Sequence, residues 1–303
     1  NISAFRKMES CVREVQRRVM PYIQLMRLDR PIGILLLLWP TLSALWIAAE
    51  GLPDITVLVV FILGVILMRS AGCAINDFAD REIDGSVWRT QNRPLATGEL
   101  TARQAIYVFI GMALVAFILV SMLNTLTVWL SLGGVFLAAT YPFMKRYTYF
   151  PQIYLGMAFG WAIPMAYAAQ TNSVPVMAWL LFLANIIWTT MYDTFYAMAD
   201  REDDLLAGVK STAVLFGDDD LIIQGMMQVA YIFVMVLIGV QLEMSFIFYL
   251  GLCVAGGLFA YQQFLAKDRQ PQRCLQAFLN NNWVGLAIFL SLVIHYSILS
   301  VGK

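Results

Sequence analysis

The sequence predicts an all-α, polytopic membrane protein, a bundle of nine transmembrane helices. Three observations carry that expectation. Of the 303 residues, 60% are hydrophobic and 13% charged, where a soluble domain is roughly 45–50% apolar and about 25% charged. The apolar residues gather into nine runs, each near the ~20 residues that cross a bilayer as a helix. The links between runs alternate between short ones without Lys or Arg and basic ones, the pattern of loops on opposite sides of a membrane.

Taken in order, residues 1–30 are polar and basic, with Arg6, Lys7, Arg13, Arg17, Arg18, Arg27 and Arg30. Val12, Val15, Val19 and Ile23 recur at helical spacing, which predicts an amphipathic helix on the membrane face. The expected spans are 31–49, 55–75, 103–123, 127–143, 151–170, 176–198, 222–241, 246–265 and 283–300. Asn124-Thr125-Leu126 alone separates the third and fourth, and Leu242 to Ser245 the seventh and eighth, so both pairs are tight hairpins. The links at 76–102, 144–150, 199–221 and 266–282 hold the basic residues, among them Arg81, Arg89, Arg93, Lys145, Arg146, Arg201, Lys210, Lys267, Arg269 and Arg273. Excess Lys and Arg marks cytoplasmic loops. The N-terminus is therefore expected inside and, after nine crossings, the C-terminus outside. Residues 1–303 read as one domain.

Formal net charge is zero, so overall charge names no partner, and no nucleic-acid partner is expected. Cys11, Cys73, Cys253 and Cys274 form no CxxC pair and read as inert small hydrophobes. The first thirty residues hold no apolar core with a cleavage site, so no signal peptide is expected, and Glu9 and Glu14 disfavour a transit peptide. His295 reads as a packing residue, and Asn280-Asn281-Asn282 as the cap of the last helix. Trp39, Trp46, Trp129, Trp179 and Trp188 fit either an interface belt or a cavity wall.

The chemistry lies in two acidic stretches. Asn76-Asp77-Phe78-Ala79-Asp80-Arg81-Glu82-Ile83-Asp84 follows the second run directly. On a helix, Asp77, Asp80 and Asp84 share one face, with Asn76 one turn before Asp80. Asp200-Arg201-Glu202-Asp203-Asp204 repeats the D-R-E-x-D pattern of residues 80–84, again at the end of an apolar run. Asn185, Thr189, Asp193 and Tyr196 continue its helical face upward. Oxygen-only ligands suit a hard divalent ion such as Mg²⁺ rather than zinc.

A basic set lies on the same side: Arg27 and Arg30 before the first span, Arg69 inside the second, Arg89 and Arg93 after the first acidic stretch. Lys145 and Arg146 close the fourth span, with Tyr141 one turn earlier. Carboxylates and cations around one space need something between them. A diphosphate bridged by Mg²⁺ fits, with metal toward the carboxylates and phosphate oxygens toward Arg and Lys. A lipid diphosphate would put its head at the membrane rim and its tail in the bilayer. A cation transporter is the rival reading, but its carboxylates belong at the membrane midplane and not at one edge.

Asn76-Asp77-x-x-Asp80-x-x-x-Asp84 and Asp193-x-x-Tyr196-Ala197-x-x-Asp200-x-x-x-Asp204 resemble the two signature motifs of the UbiA membrane prenyltransferases. Arg30-Pro31-Ile32-Gly33, Leu38-Trp39-Pro40-Thr41, Asn92-Arg93-Pro94-Leu95, Tyr141 to Thr148, Gly160 to Met165 and Lys210-Ser211-Thr212-Ala213 resemble the branch of that family that acts on 4-hydroxybenzoate. The likeness covers residues ~25 to 300. It implies nine helices around a central cavity, capped by cytoplasmic loops, in the inner membrane of a bacterium. It implies Mg²⁺-dependent transfer of a polyprenyl group from its diphosphate to an aromatic ring, in ubiquinone synthesis. Asn76, Asp80, Asp84, Asp200 and Asp204 would hold Mg²⁺, with Asp77 beside them. Arg30, Arg69, Tyr141, Lys145 and Arg146 would hold the diphosphate, Arg69 and Lys145 stabilising it as it leaves. Asp193 would orient or deprotonate the phenol. The same machinery with dihydroxynaphthoate, homogentisate or haem as acceptor is the alternative that the branch motifs disfavour.

Overall fold

Every expected apolar run falls on a helix, but not as nine single rods. The computed structural model describes residues 2–86 and 89–301, with the side chains of 2–8, 10–12, 86 and 299–301 excepted. The readings at Arg6, Lys7, Cys11 and Val12 thus lie outside the described residues. The helices are α1 (Ile2–Leu25), α2 (Ile32–Ala48), α3 (Ile55–Asp80), α4 (Ala102–Val120), α5 (Thr125–Thr140), α6 (Pro151–Gly160), α7 (Ala162–Thr171), α8 (Val176–Ala199), α9 (Arg201–Ala207), α10 (Thr212–Phe216), α11 (Asp220–Gln241), α12 (Phe246–Ala266) and α13 (Pro271–Val301).

Among the described residues, seven helical stretches are each long and apolar enough to cross a membrane. The first expected span, α2, is shorter at 17 residues. The expected single span at 151–170 is broken into α6 and α7 at Trp161. Pro164 is the physical reason, since it has no N–H to offer the Gly160 carbonyl.

Polar caps set the sharp starts. Asp54 Oδ1 accepts from the Thr56 N–H at 2.8 Å and begins α3. Thr101 and Gln104 form a reciprocal capping box on α4. The Asn124 side chain accepts from the Thr127 N–H at 3.0 Å, which makes the α4–α5 hairpin tight. On α1, Val15, Val19 and Met20 stay exposed beside the Arg13–Glu9 and Arg18–Glu14 pairs, as an in-plane amphipathic helix requires.

The bundle is built around α8. Helix α6 packs on one side of it, α11 and α13 on the other, and α13 also reaches α2 and pairs along α12. Gly156 lets α6 come close, for a Cβ there would lie 3.0 Å from the Ile186 Cα. Helix α8 contributes Met191, Tyr192 and Phe195, all essentially without exposed surface.

Asn280-Asn281-Asn282 does not cap the last helix. Helix α13 starts at Pro271, so the triplet lies inside it. Successive residues are turned by about 100°, and each asparagine meets a different helix. Asn280 Oδ1 accepts from Gln262 at 3.0 Å, Asn281 Oδ1 from the Trp188 indole at 2.9 Å and Asn282 Oδ1 from the Trp39 indole at 2.8 Å. Away from water these bonds give both indole N–H groups and the Gln262 amide an acceptor. Trp188 is therefore an interior residue and Trp39 is partly buried against the core, while Trp129 is exposed. His295 Nδ1 takes the Ser245 backbone N–H at 3.1 Å and so caps α12.

Candidate active site

Four segments meet at one end of the bundle. The last turn of α3 brings Asn76, Asp77 and Asp80, and the turn Asp84–Ser86 follows. The loop before α4 returns Arg89 and Arg93. A 3-10 turn, Tyr141–Arg146, extends α5. The end of α8 and the start of α9 bring Asp193, Tyr196, Asp200 and Asp204.

The carboxylates are buried. Asp77, Asp80, Asp84 and Asp200 keep 1%, 5%, 4% and 9% of their surface, so each needs a compensating cation. Asp77 is gripped by Arg27 at 2.9 Å and Arg93 at 3.0 Å. Asp80 meets Lys145 Nζ at 2.5 Å and the Asn76 amide at 3.2 Å. Arg93 reaches on to Asp84 at 2.9 Å. Arg89 donates to both oxygens of Asp200 and to the Tyr196 hydroxyl, and lies 4.2 Å from that ring's centroid. Arg89 thus ties the loop after the first acidic stretch to the second stretch.

Burial pushes the Asp84 carboxyl up to about 6 even with Arg93 opposing it. Burial, with Asp200 adding repulsion, pushes Asp204 up to about 7. Burial works against the charges of Arg89 and Arg93. Tyr196 and Asp200 in the one case, and Asp77 and Asp84 in the other, more than offset it and hold both guanidiniums above the ordinary arginine value.

Below this layer lies an apolar cavity of about 1010 Å³, counting the space at its mouth. Gly64, Gly72, Ala116, Gly134 and Ala158 leave the room, and Phe159 and Trp161 wall it. On α3 it runs from Gly72 to Val60, a drop of about 18 Å at 1.5 Å per residue. Arg69, Tyr141 and Ser131 are among its polar lining groups. The Tyr141 hydroxyl donates to Asn76 Oδ1 at 3.3 Å, linking cavity to carboxylate layer. Arg69 Nη1 touches Cys73 Sγ at 2.6 Å, its guanidinium lies 5.6 Å from the Phe159 centroid, and its buried Nε has no partner. It takes no part in the ion pairs among the described residues. Asp193 lies within electrostatic reach of Arg69, Arg89 and Asp200.

Two expected residues stand elsewhere. Arg30 is turned outward, its side chain 78% exposed and 3.8 Å from Asp29; Asp77 is paired with Arg27 and Arg93 instead. Arg146 donates to the Ala79 carbonyl at 2.5 Å, so it caps the end of α3. Sequence reasoning missed Asp220, fully buried and held by Arg201 and by Arg269 at 2.9 Å. Its only signal is its place in Asp218-Asp219-Asp220, which looks like an ordinary helix start.

Among the described residues no three His, Cys, Asp or Glu side chains converge tightly enough to hold an ion by themselves. The site is instead an oxygen donor set answered by cations. That fits Mg²⁺, which usually takes one or two carboxylates and completes its shell with water and substrate phosphates.

The chain matches the UbiA prenyltransferase family over residues 37–293. It is 58% identical over 293 residues to a 4-hydroxybenzoate octaprenyltransferase of Saccharophagus degradans, covering 97% of this chain and 98% of that protein. Its fold is similar to the apo structure of a UbiA homologue from Aeropyrum pernix, with a TM-score of 0.76 at 24% identity over 86% of this chain and 97% of that one. It is similar as well to a UbiA homologue from Archaeoglobus fulgidus bound to GPP and Mg²⁺, with a TM-score of 0.65 at 18% identity over 90% of this chain and 99% of that one.

Proposed function

The chain belongs to the UbiA prenyltransferase family, and from that premise we propose that it transfers a polyprenyl group from its diphosphate to 4-hydroxybenzoate, at the ring carbon ortho to the hydroxyl. The observation that carries the reading is the layered site: carboxylates and cations paired at the head of an apolar cavity. A diphosphate satisfies the cations, and an isoprenoid tail fills the cavity.

Asn76, Asp80, Asp84, Asp200 and Asp204, with Asp77 beside them, would hold Mg²⁺. When bound, it supplies positive charge against the departing diphosphate. Lys145, Arg89 and Arg93 donate to the phosphate oxygens, with Tyr141 at the cavity rim. As the allylic C–O bond breaks, its electron pair leaves with the diphosphate. Phe159 and Trp161 give the remaining allylic cation a dry, π-rich wall. The ring carbon attacks the cation, and the ring proton then passes to the released diphosphate, whose oxygen took the electron pair of the broken C–O bond. Asp193 holds the phenol for that attack. Arg69, a buried cation without a carboxylate, is the group left for a substrate anion. Arg30 and Arg146 stand outside this set, Arg30 beside Asp29 and Arg146 on the Ala79 carbonyl.

The enzyme is a multi-pass membrane protein. The basic links support an orientation with the site facing the cytoplasm of a bacterium, in its inner membrane. Offering purified protein 4-hydroxybenzoate, dihydroxynaphthoate and homogentisate with diphosphates of graded length, and weighing the products, tests the function. A prenylated 4-hydroxybenzoate, formed only with Mg²⁺, is expected. A product on another acceptor alone would overturn it.

A further inference from the structure

Helix α8 ends at Ala199 and α9 begins at Arg201, so Asp200 sits on a break between helices and its aim depends on what holds α9. The Arg201 side chain is turned away from the site. Its guanidinium donates to Asp220, the first residue of α11. Arg269, between α12 and α13, donates from Nε to both Asp220 oxygens at 3.1 Å, and from Nη2 to the Asp218 carbonyl at 2.7 Å. The Leu221 N–H adds a bond to Asp220 Oδ1 at 2.6 Å. The Asp220 side chain has 0% exposure. One buried carboxylate thus joins α9, α11 and the α12–α13 link. Further on, the Lys210 N–H bonds to the Lys145 carbonyl at 3.2 Å, the Thr212 N–H to Gln152 at 3.1 Å, and the Thr194 and Thr212 hydroxyls meet at 2.6 Å.

We infer that Asp220 is a positioning residue for the transfer reaction: through Arg201 it fixes the α8–α9 break so that Asp200 and Asp204 face the diphosphate. It touches neither substrate nor metal. A two-arginine carboxylate is suited to this, because its geometry is set by several charge-assisted bonds at once. The inference rests on Asp200 and Asp204 belonging to the metal side of the site.

The test compares Asp220→Asn, Arg269→Gln and Arg269→Lys with wild type, and uses Arg273→Gln, in the first turn of α13, as a control. Arg273 pairs with Asp268 at 3.4 Å and is not among the partners of Asp220. Two readouts are taken on detergent-purified protein. Amide hydrogen exchange over 201–212, without metal, reports the clamp alone. It should quicken roughly tenfold or more in Asp220→Asn, the scale of a lost charged hydrogen bond. Arg269→Gln should fall between, Arg269→Lys closer to wild type, and the control should be unchanged. Steady-state kinetics should show a several-fold higher half-saturating Mg²⁺ in Asp220→Asn with the acceptor KM unmoved. Unchanged exchange in Asp220→Asn, or equal losses in every kinetic parameter, would overturn the inference. Should Asp220→Asn fail to fold, Arg269→Gln carries the same two readouts with the Arg201 contact kept. If wild type itself ignores Mg²⁺, the metal reading is what fails, and the exchange data still decide whether the clamp exists.

Discussion

The two D-R-E-x-D stretches share their letters and differ in how they are held. In the second, Arg201 is locked on buried Asp220, and the loop that follows is tied to Lys145, Gln152 and Thr194. In the first, Arg81 faces solvent, donates to the Phe78 carbonyl at 2.7 Å and to Glu82 at 3.0 Å, and lies against its own Phe78 ring. The loop after it is anchored at its far end, where Leu95 and Leu100 pack beside Leu25 and Ala74. Between, Arg89 and Arg93 fasten it through the site carboxylates themselves. One acidic stretch therefore has its own clamp away from the site, while the other is held by Arg89 and Arg93 on the site carboxylates and by the Thr90 hydroxyl on the Asp84 carbonyl at 2.9 Å. A repeat in sequence is here not a repeat in mechanics.

The largest expected effect is loss of either cluster. Asp80→Ala and Asp200→Ala should each abolish product formation while membrane insertion persists, and turnover in either would separate that cluster from the reaction. Next come the two cations at different depths. Lys145→Gln should weaken use of the prenyl diphosphate by about 1.5–3 kcal/mol, the scale of one charged hydrogen bond, with little change in acceptor KM. Arg69→Gln should cost more, since among the described residues no other cation lines the cavity. Kinetics with both substrates varied will also show which substrate Arg69 serves, because only that substrate's KM should move. Wild-type values for both variants would mean that the diphosphate lies on other helices.

A smaller effect follows from Asp84 and Asp204, raised by burial to about 6 and about 7. Metal takes the charged carboxylate, so protons compete with it below these values. Half-saturating Mg²⁺ should rise as pH is lowered from about 8 to about 6. For the metal-free fold the sign is opposite. A raised carboxyl pKa means that the folded state binds the proton more tightly, so these groups favour folding below their folded pKa values and that contribution is lost as pH rises through them. A flat Mg²⁺ requirement over this range would remove Asp84 and Asp204 from the metal side. The smallest effect belongs to Arg81→Ala, expected within about 0.5 kcal/mol of wild type in stability, as for an exposed residue. Arg201→Ala, at the matching position of the other stretch, should be plainly destabilising, because it strips a cation from a buried carboxylate. Equal melting temperatures for the pair would erase the contrast.

The sequence made the helical runs legible because hydrocarbon thickness forces long apolar stretches, and the acidic segments because buried carboxylates at a membrane edge have few structural uses. It hid what depends on rotation and distance. Pro164 breaks a run that hydropathy reads as continuous. Asn280 to Asn282 look like a cap until three neighbouring helices surround them. Arg27 and Arg30 are alike in sequence, but Arg27 adopts a left-handed backbone at φ 55 and turns its side chain onto Asp77. Asp220 pairs with Arg269, 49 residues away, a distance no local pattern reveals.

Both acidic stretches are expected to act on one bound diphosphate. A double-mutant cycle with Asp80→Asn and Asp200→Asn tests it most directly, read as Mg²⁺-dependent binding of a non-hydrolysable prenyl diphosphate analogue. Groups acting as a unit are non-additive. The double variant should therefore bind hardly less well than the weaker single variant. Losses that simply multiply would mean two independent sites and would contradict a shared one.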